Sequence, residues 1–251
     1  MKLSKRLELV ASFVPEGSRI ADVGTDHGYI PIELVKRGLC PSGIAMDIGK
    51  GPLERAREHI REQGLEEKIE SRLSDGLSAL KPGEADTVVI AGMGGELVIH
   101  ILDAGRHMWE SVKEFVLSPQ SELDKARKYL EENGFAIQKE AMVVDEGKYY
   151  TVMLVKRGVM KYGSQAEYRY GRLLIQRKDP VLFAFLKKER ERICRILTGL
   201  ENQDTEGAEA ARIDLKEQLS WIREAYMQME QASSAESNES GKEQEERHEM
   251  R

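Results

Sequence analysis

The chain has 251 residues, 40% hydrophobic and 33% charged, with a net charge of −6, enough apolar material for a real core in one large domain or a medium domain with an appendage. No apolar run approaches the ~18 residues that span a bilayer, and the N-terminal Met1-Lys2-Leu3-Ser4-Lys5-Arg6-Leu7 lacks a signal-like apolar core. Two distant cysteines, Cys40 and Cys194, argue against a disulfide framework or a metal site and for a reducing cytoplasm.

Residues 2–13 place Leu3, Leu7 and Val10 on one helical stripe with Lys2, Lys5 and Arg6 opposite, and Pro15-Glu16-Gly17 ends it. Arg19–Val23 reads as a first strand, followed by a glycine-bounded turn and a helix from Gly28 to Arg37. Gly43–Asp47 is a second strand, and Pro52 and Gly64 frame a solvated helix on which His59 reads as a surface residue. Ile69–Leu73 is a third strand, before Ser74-Asp75-Gly76. The β-branched run Ala85–Ala91 suits a buried parallel strand and leads into Gly92-Met93-Gly94-Gly95 and a helix to about Ala104. Glu114–Leu117 is a fifth strand, and Ser121 is placed to cap a helix ending at Asn133. Ala136–Asp145 and Tyr149–Arg157 form a hairpin across Glu146-Gly147-Lys148.

Residues 19–157 thus alternate strand and helix five times before a hairpin. That predicts an α/β fold, a parallel sheet covered on both faces with antiparallel strands at one edge. After residue 160 the pattern is helical. Asp179-Pro180 starts one stripe, Leu182, Phe185, Leu186, Ile193, Ile196 and Leu200; Leu215, Leu219, Ile222, Tyr226 and Met229 form a second. A helical hairpin or coiled coil follows, with arms of ~30 Å. The expected division is 1–159, 160–231, and a Glu-rich, disordered tail, 232–251. Charge is uneven: 160–203 carries 10 basic and 5 acidic side chains, 204–231 carries 3 and 7. Such a basic segment suits a polyanion, although opposite charges on the two arms also suit mutual pairing.

Ligands in open α/β sheets bind at the carboxyl ends of the strands. On that rim fall Asp22 with Gly24, Asp47, Asp75, and the Gly92–Gly95 run. An acid ending a buried strand, such as Asp22, needs a cationic or hydrogen-bond-donating partner. A dinucleotide site asks for Gly-x-Gly-x-x-Gly. Here the spacing is Asp22-x-Gly24-x-x-x-Gly28, with Asp26 where a middle glycine would stand. An acidic turn repels a pyrophosphate and attracts the ammonium and sulfonium charges of S-adenosyl-L-methionine, so charge complementarity favours that cofactor over NAD. Asp47 suits two ribose hydroxyls in either case.

Asp22-Val23-Gly24-Thr25-Asp26-His27-Gly28-Tyr29-Ile30-Pro31, together with Ala91-Gly92-Met93-Gly94-Gly95 and Leu3-Ser4-Lys5-Arg6-Leu7, resembles the bacterial tRNA (adenine-22-N1)-methyltransferase family over about residues 1–230. The resemblance implies a Rossmann-like class I methyltransferase domain with a C-terminal coiled coil, S-adenosyl-L-methionine as cofactor, and tRNA as partner. It implies methylation of N1 of an adenine in the D-arm region. It also implies that Asp22, Gly24 and Gly28 line the methionine end, that Asp47 with Ile48 takes the ribose, and that Asp75 and Gly76 take the adenine. Gly92, Met93 and Gly94 would form the floor beneath the methyl group. The chain carries Ser118-Pro119-Gln120 where the family more often has a Gln-Pro-Asn-like run.

Adenine N1 already holds a free lone pair, so such a reaction rests on alignment rather than on a base. In a duplex N1 is paired, so the target must be unpaired or extruded. No Asn-Pro-Pro-Tyr-type run follows the fourth strand, consistent with a ring-nitrogen target. Beside the methyl group the candidates are Asp26, His27 and Tyr29. Asp26 would orient the amino group or stabilise developing charge, Tyr29 would stack on the base or hydrogen-bond it, and His27 would do either or cap the helix. Each also reads as simple turn structure. Lys2, Lys5, Arg6 and the basic residues of 160–203 are candidate phosphate contacts. Competing readings are a methyltransferase for a small molecule or protein, a non-catalytic binding module, and an NAD-dependent protein. Neither membrane association nor an obligate protein partner is expected.

Overall fold

The structure, a computed structural model, describes residues 3–249, and their side chains from 3 to 231. Lys2 lies outside the described residues, and the expectation of a disordered tail falls on residues whose side chains lie outside them. The chain divides into two compact units, 1–161 and 162–251.

The first unit runs α1 (Lys5–Ala11), β1 (Ile20–Val23), α2 (Tyr29–Lys36), β2 (Gly43–Asp47), α3 (Lys50–Glu62), β3 (Ile69–Leu73), β4 (Thr87–Ala91), α4 (Gly95–Ala104), β5 (Glu114–Ser118), α5 (Leu123–Glu132), β6 (Phe135–Asp145) and β7 (Lys148–Arg157). All seven strands form one sheet in the order β3-β2-β1-β4-β5-β7-β6. The first five are parallel, and β7 pairs antiparallel with both β5 and β6. The hairpin therefore joins the sheet through its second strand. From β1 the order runs outward through β2 and β3 on one side and through β4 and β5 on the other. The switch in direction between β1 and β4 is where crossovers diverge and leave a crevice above the strand ends.

Local sequence explains these elements. Ile20, Ala21, Val23, Val88, Val89 and Ile90 are all buried, because helices cover both sheet faces, and so β1 and β4 show no alternation of polar and apolar residues. Ser4 caps α1 by accepting from the Leu7 N–H at 3.3 Å, which shortens the helix from the predicted start at residue 2. Ser121 does not cap α5. The N-cap is Glu122, in a left-handed conformation (φ 46°), and the preceding chain serves α4 instead. The Gly95 N–H donates to Ser121 O and to a Glu122 carboxylate oxygen, both at 3.1 Å.

The second unit contains α6 (Gln165–Tyr170), α7 (Arg172–Gln176), α8 (Pro180–Leu200) and α9 (Glu206–Glu249). Asp179 caps α8, accepting from the Val181 and Leu182 N–H groups at 3.0 and 3.1 Å, with Pro180 at the first helical position. Leu182, Leu186 and Ile193 of α8 and Leu215, Ile222 and Met229 of α9 are buried. Both α6 and α7 also pack on α9, so the expected two-arm hairpin carries a further helical layer. Ile196, on the expected buried stripe, is exposed.

Candidate active site

At the end of β1 the chain turns through Gly24 at φ +76° and enters α2 from Gly28 at φ +68°, conformations that side chains with a Cβ rarely adopt. The turn is tied down on both sides. Gly24 and Thr25 donate their N–H groups to Met46 O of β2 at 2.8 and 2.9 Å. The Thr25 hydroxyl accepts from the Gly28 N–H at 3.1 Å and donates to the Asp22 carboxylate. Thr25 is a site residue beyond those the sequence motifs single out. The signal was present in the need of Asp22 for a donor, which a hydroxyl three residues on supplies.

A cavity of about 310 Å³ opens over this turn. Asp22, Gly24, Asp26, His27, Tyr29 and Gly92 line it, as the sequence predicted for one site. So do Thr25, Arg6, Leu7 and Gln120, which no local motif assigns to it. Asp22 is buried, and its pKa is pushed up to about 6, first by loss of solvent and further by the charge of Asp47, against the Thr25 hydrogen bond. No cationic side chain among the described residues pairs with it. A buried carboxylate with one hydroxyl donor and no counter-ion, on the wall of a cleft, fits a cationic group such as the ammonium of a methionine moiety.

The remaining wall residues are more exposed. Arg55 of α3 donates to Asp26 Oδ1 through both Nε, at 3.1 Å, and Nη2. That pairing holds the Asp26 carboxyl below the ordinary carboxylate range. Asp26 Oδ2 stands 3.4 Å from His27 Nε2. The His27 and Tyr29 rings are stacked, with centroids 4.8 Å apart and planes within 9°. His59, read from sequence as a helix-surface residue, completes the cluster at 5.3 Å from His27 and 5.5 Å from Tyr29. Its Nδ1 is 3.0 Å from the His27 carbonyl oxygen. His27 Nδ1 is buried and has no hydrogen-bond partner among the described residues.

Gly28, Asp47, Ile48, Asp75, Gly76, Met93 and Gly94 do not line this cavity. Gly28 is the N-cap of α2 and faces Ile32 and Ala56. Asp47 and Asp75 stand along the same rim, at the ends of β2 and β3; Asp47 Oδ1 accepts from the Gly49 N–H at 2.6 Å. Ile48 is 69% exposed, and Gly76 follows Asp75 in the loop after β3. Met93 extends over Gly24, where an added Cβ would overlap the Met93 methyl, and Gly94 is the N-cap of α4.

Two wall residues come from far along the chain. Arg6 was expected on the solvent face of α1. Instead its N–H donates to Asp145 Oδ2 at 3.1 Å, and its guanidinium lies over the Tyr150 ring at 5.2 Å, beside the cavity. Gln120, just after β5, donates its N–H to Met93 O at 2.8 Å, which joins its loop to the floor.

Comparison with known proteins agrees with this architecture. Residues 3–153 match the family model described as a methyltransferase domain. Over 158 residues the chain is 37% identical to the tRNA (adenine(22)-N(1))-methyltransferase of Bacillus subtilis, a match covering 63% of this chain and 66% of that protein. The crystal structure of the B. subtilis tRNA methyltransferase TrmK superimposes with a TM-score of 0.79 at 31% identity, covering 89% of this chain and 98% of that one. Sp1610 of Streptococcus pneumoniae, solved in complex with S-adenosyl-L-methionine, gives a TM-score of 0.80 at 36% identity, covering 89% and 99%.

Proposed function

This chain belongs to the bacterial tRNA (adenine-22-N1)-methyltransferase family, and from that premise we propose that it methylates N1 of adenine 22 in tRNA. The observation that carries the reading is a single cavity lined both by the cation-free Asp22 carboxylate and by the stacked rings of His27 and Tyr29. One feature receives a positively charged amino-acid moiety; the other offers an aromatic face to a base.

When bound, S-adenosyl-L-methionine supplies a sulfonium methyl group: the N1–CH3 bond forms as the S–CH3 bond breaks, the electron pair stays on sulfur, and the positive charge passes to the adenine. The residues of the chain supply alignment and electrostatics. Asp22 holds the ammonium end, Gly24 and Gly28 give the turn beside it its left-handed conformations, and Gly92 lies beneath the methyl group, backed by Met93 and Gly94 from outside the cavity wall. Asp47 with Ile48 serves the ribose, and Asp75 with Gly76 the adenine of the cofactor. Tyr29, backed by His27, gives the extruded base a stacking face, worth about 1–3 kcal/mol in comparable contacts. Asp26 stays ionised beside Arg55 and favours the charge that develops on the target ring. No general base is needed before attack, because N1 presents its lone pair directly.

The second unit and the basic residues of 160–203 hold the tRNA body in this reading. It takes tRNA as the only obligate partner and the cytoplasm as the compartment; no helix among the described residues is long and apolar enough to cross a membrane. The test is incubation with methyl-labelled S-adenosyl-L-methionine and unmodified bulk tRNA, then digestion to nucleosides. Label in 1-methyladenosine supports the reading; label in another nucleoside, or none in tRNA, removes it.

A further inference from the structure

We infer that Gln120 is the residue that selects adenine, by accepting a hydrogen bond from its exocyclic amine; the inference rests on the adenine-N1 reading above. Gln120 shares the cavity wall with Gly92, Arg6 and Tyr29. Its Nε2 and the Arg6 Nη1 are the side-chain atoms nearest to where a Cβ on Gly92 would stand, at 3.9 and 3.4 Å. The two side-chain ends therefore frame the open face of the loop after β4. The Gln120 backbone is fixed to that loop by its N–H bond to Met93 O at 2.8 Å. Its side-chain amide has no hydrogen-bond partner among the described residues, and the residue is exposed into the cleft.

The choice among acceptors follows from what the neighbours already do. An adenine that presents N1 for attack also presents its 6-amino group, a hydrogen donor, on the same edge. Arg6 has donors only and cannot take that hydrogen. Asp22 is buried and engaged by Thr25. Asp26 has Oδ1 committed to Arg55 and Oδ2 turned toward His27. The Thr25 oxygen is engaged by the Gly28 N–H. His27 Nδ1 is buried and its ring is stacked on Tyr29, and Gln120 Oε1 is an exposed, uncommitted amide acceptor on this wall beside the Tyr29 hydroxyl.

The bond would strengthen during reaction. As N1 is methylated, positive charge spreads through the amidine unit to the amine, whose hydrogens become better donors. An acceptor there favours the transition state over the ground state, which is the condition for a rate effect. Guanine places a carbonyl at the equivalent position and a hydrogen on N1, so it offers neither the donor nor the lone pair.

The test crosses two protein changes with one substrate change. Single-turnover methylation is measured for the full chain and for Gln120→Leu and Gln120→Glu. The substrates are tRNA with adenine, and tRNA with purine lacking the 6-amino group, at the target position. For Gln120→Leu we expect a loss of roughly ten- to hundredfold on the adenine substrate and less than about threefold on the purine substrate. Gln120→Glu, which keeps an acceptor oxygen, should retain a dependence on the amine. Cofactor affinity should change less than about twofold in both variants. Equal losses on the two substrates, or loss of amine dependence in Gln120→Glu as in Gln120→Leu, would overturn the inference while leaving the methyltransferase reading intact. An unaltered chain that fails to methylate the adenine substrate would instead remove the reading on which it rests.

Discussion

The Asp22 and Asp47 carboxylates close neighbouring parallel strands, with Asp22 in register with Ala45, two residues before Asp47. The charge of Asp47 adds to burial in pushing the Asp22 pKa up to about 6. Two acids held on one rim with no cation on the buried one describe a site whose electrostatics are completed by a positively charged ligand.

Cofactor binding should therefore depend on pH in the mildly acidic range. The form of Asp22 that attracts an ammonium is the ionised one, and its population falls as pH drops through about 6. Between pH 7.5 and pH 5, titration calorimetry should show affinity for S-adenosyl-L-methionine weakening by about tenfold. Proton release on binding should rise as pH falls, from near zero at pH 7.5 through about half a proton near pH 6 toward one proton at pH 5. An affinity that is flat across this range would show that Asp22 does not carry the contact.

The same shift makes a stability prediction of opposite sign. The folded-state value, about 6, lies above the ordinary 3.8, so folding favours neutral Asp22 over charged Asp22. The penalty is absent below pH 3.8, grows as pH rises, and is complete above pH 6. Asp22→Asn should stabilise the ligand-free protein at pH 7.5 by up to roughly 3 kcal/mol while abolishing measurable cofactor binding. Urea melts at pH 7.5 should separate the variant from the parent, and the gap should narrow as the pH falls.

The parallel core was legible because its signals are local. Buried β-branched runs such as Thr87–Ala91, glycines after the strands, and an acid at each of three strand ends repeat within about thirty residues of one another. What escaped was set by contacts distant in sequence. Arg6 enters the cavity wall because Asp145 and Tyr150 hold it, some 140 residues away, and helical periodicity says nothing about such a partner. Gln120 reaches the site through Met93, across the join between β4 and β5. The pattern of its own helix makes His59 a surface residue, whereas its ring packs on His27 and Tyr29 of the preceding turn. Ser121 was a plausible cap by residue type, but the left-handed Glu122 moved the helix start and gave the local acceptors to Gly95.

Asp26→Ala should separate chemistry from cofactor binding. Asp26 is exposed and tied to Arg55 rather than buried with Asp22. Its loss should lower single-turnover methylation about ten- to hundredfold and leave the cofactor dissociation constant within about twofold. A tenfold weaker cofactor affinity would move Asp26 to the methionine end of the site.

Truncation after Lys161 removes the second compact unit and leaves the whole sheet and its covering helices. The shortened protein should bind S-adenosyl-L-methionine within about threefold of the full chain. Its affinity for tRNA should fall by more than about tenfold, with a shallower dependence on salt, because the basic side chains of 162–203 go with it. Parallel losses of both affinities would mean that the helices serve stability alone.

The most direct measurement of the central claim is primer extension on a single transcribed tRNA that carries adenine 22, after incubation with the protein and S-adenosyl-L-methionine. A methyl group on N1 blocks Watson–Crick pairing and halts reverse transcription. Methylation at N1 of adenine 22 gives a new stop immediately before position 22, dependent on both protein and cofactor and absent from a transcript with guanine there. Full-length product under conditions where the cofactor binds, or a stop at another position, would contradict it.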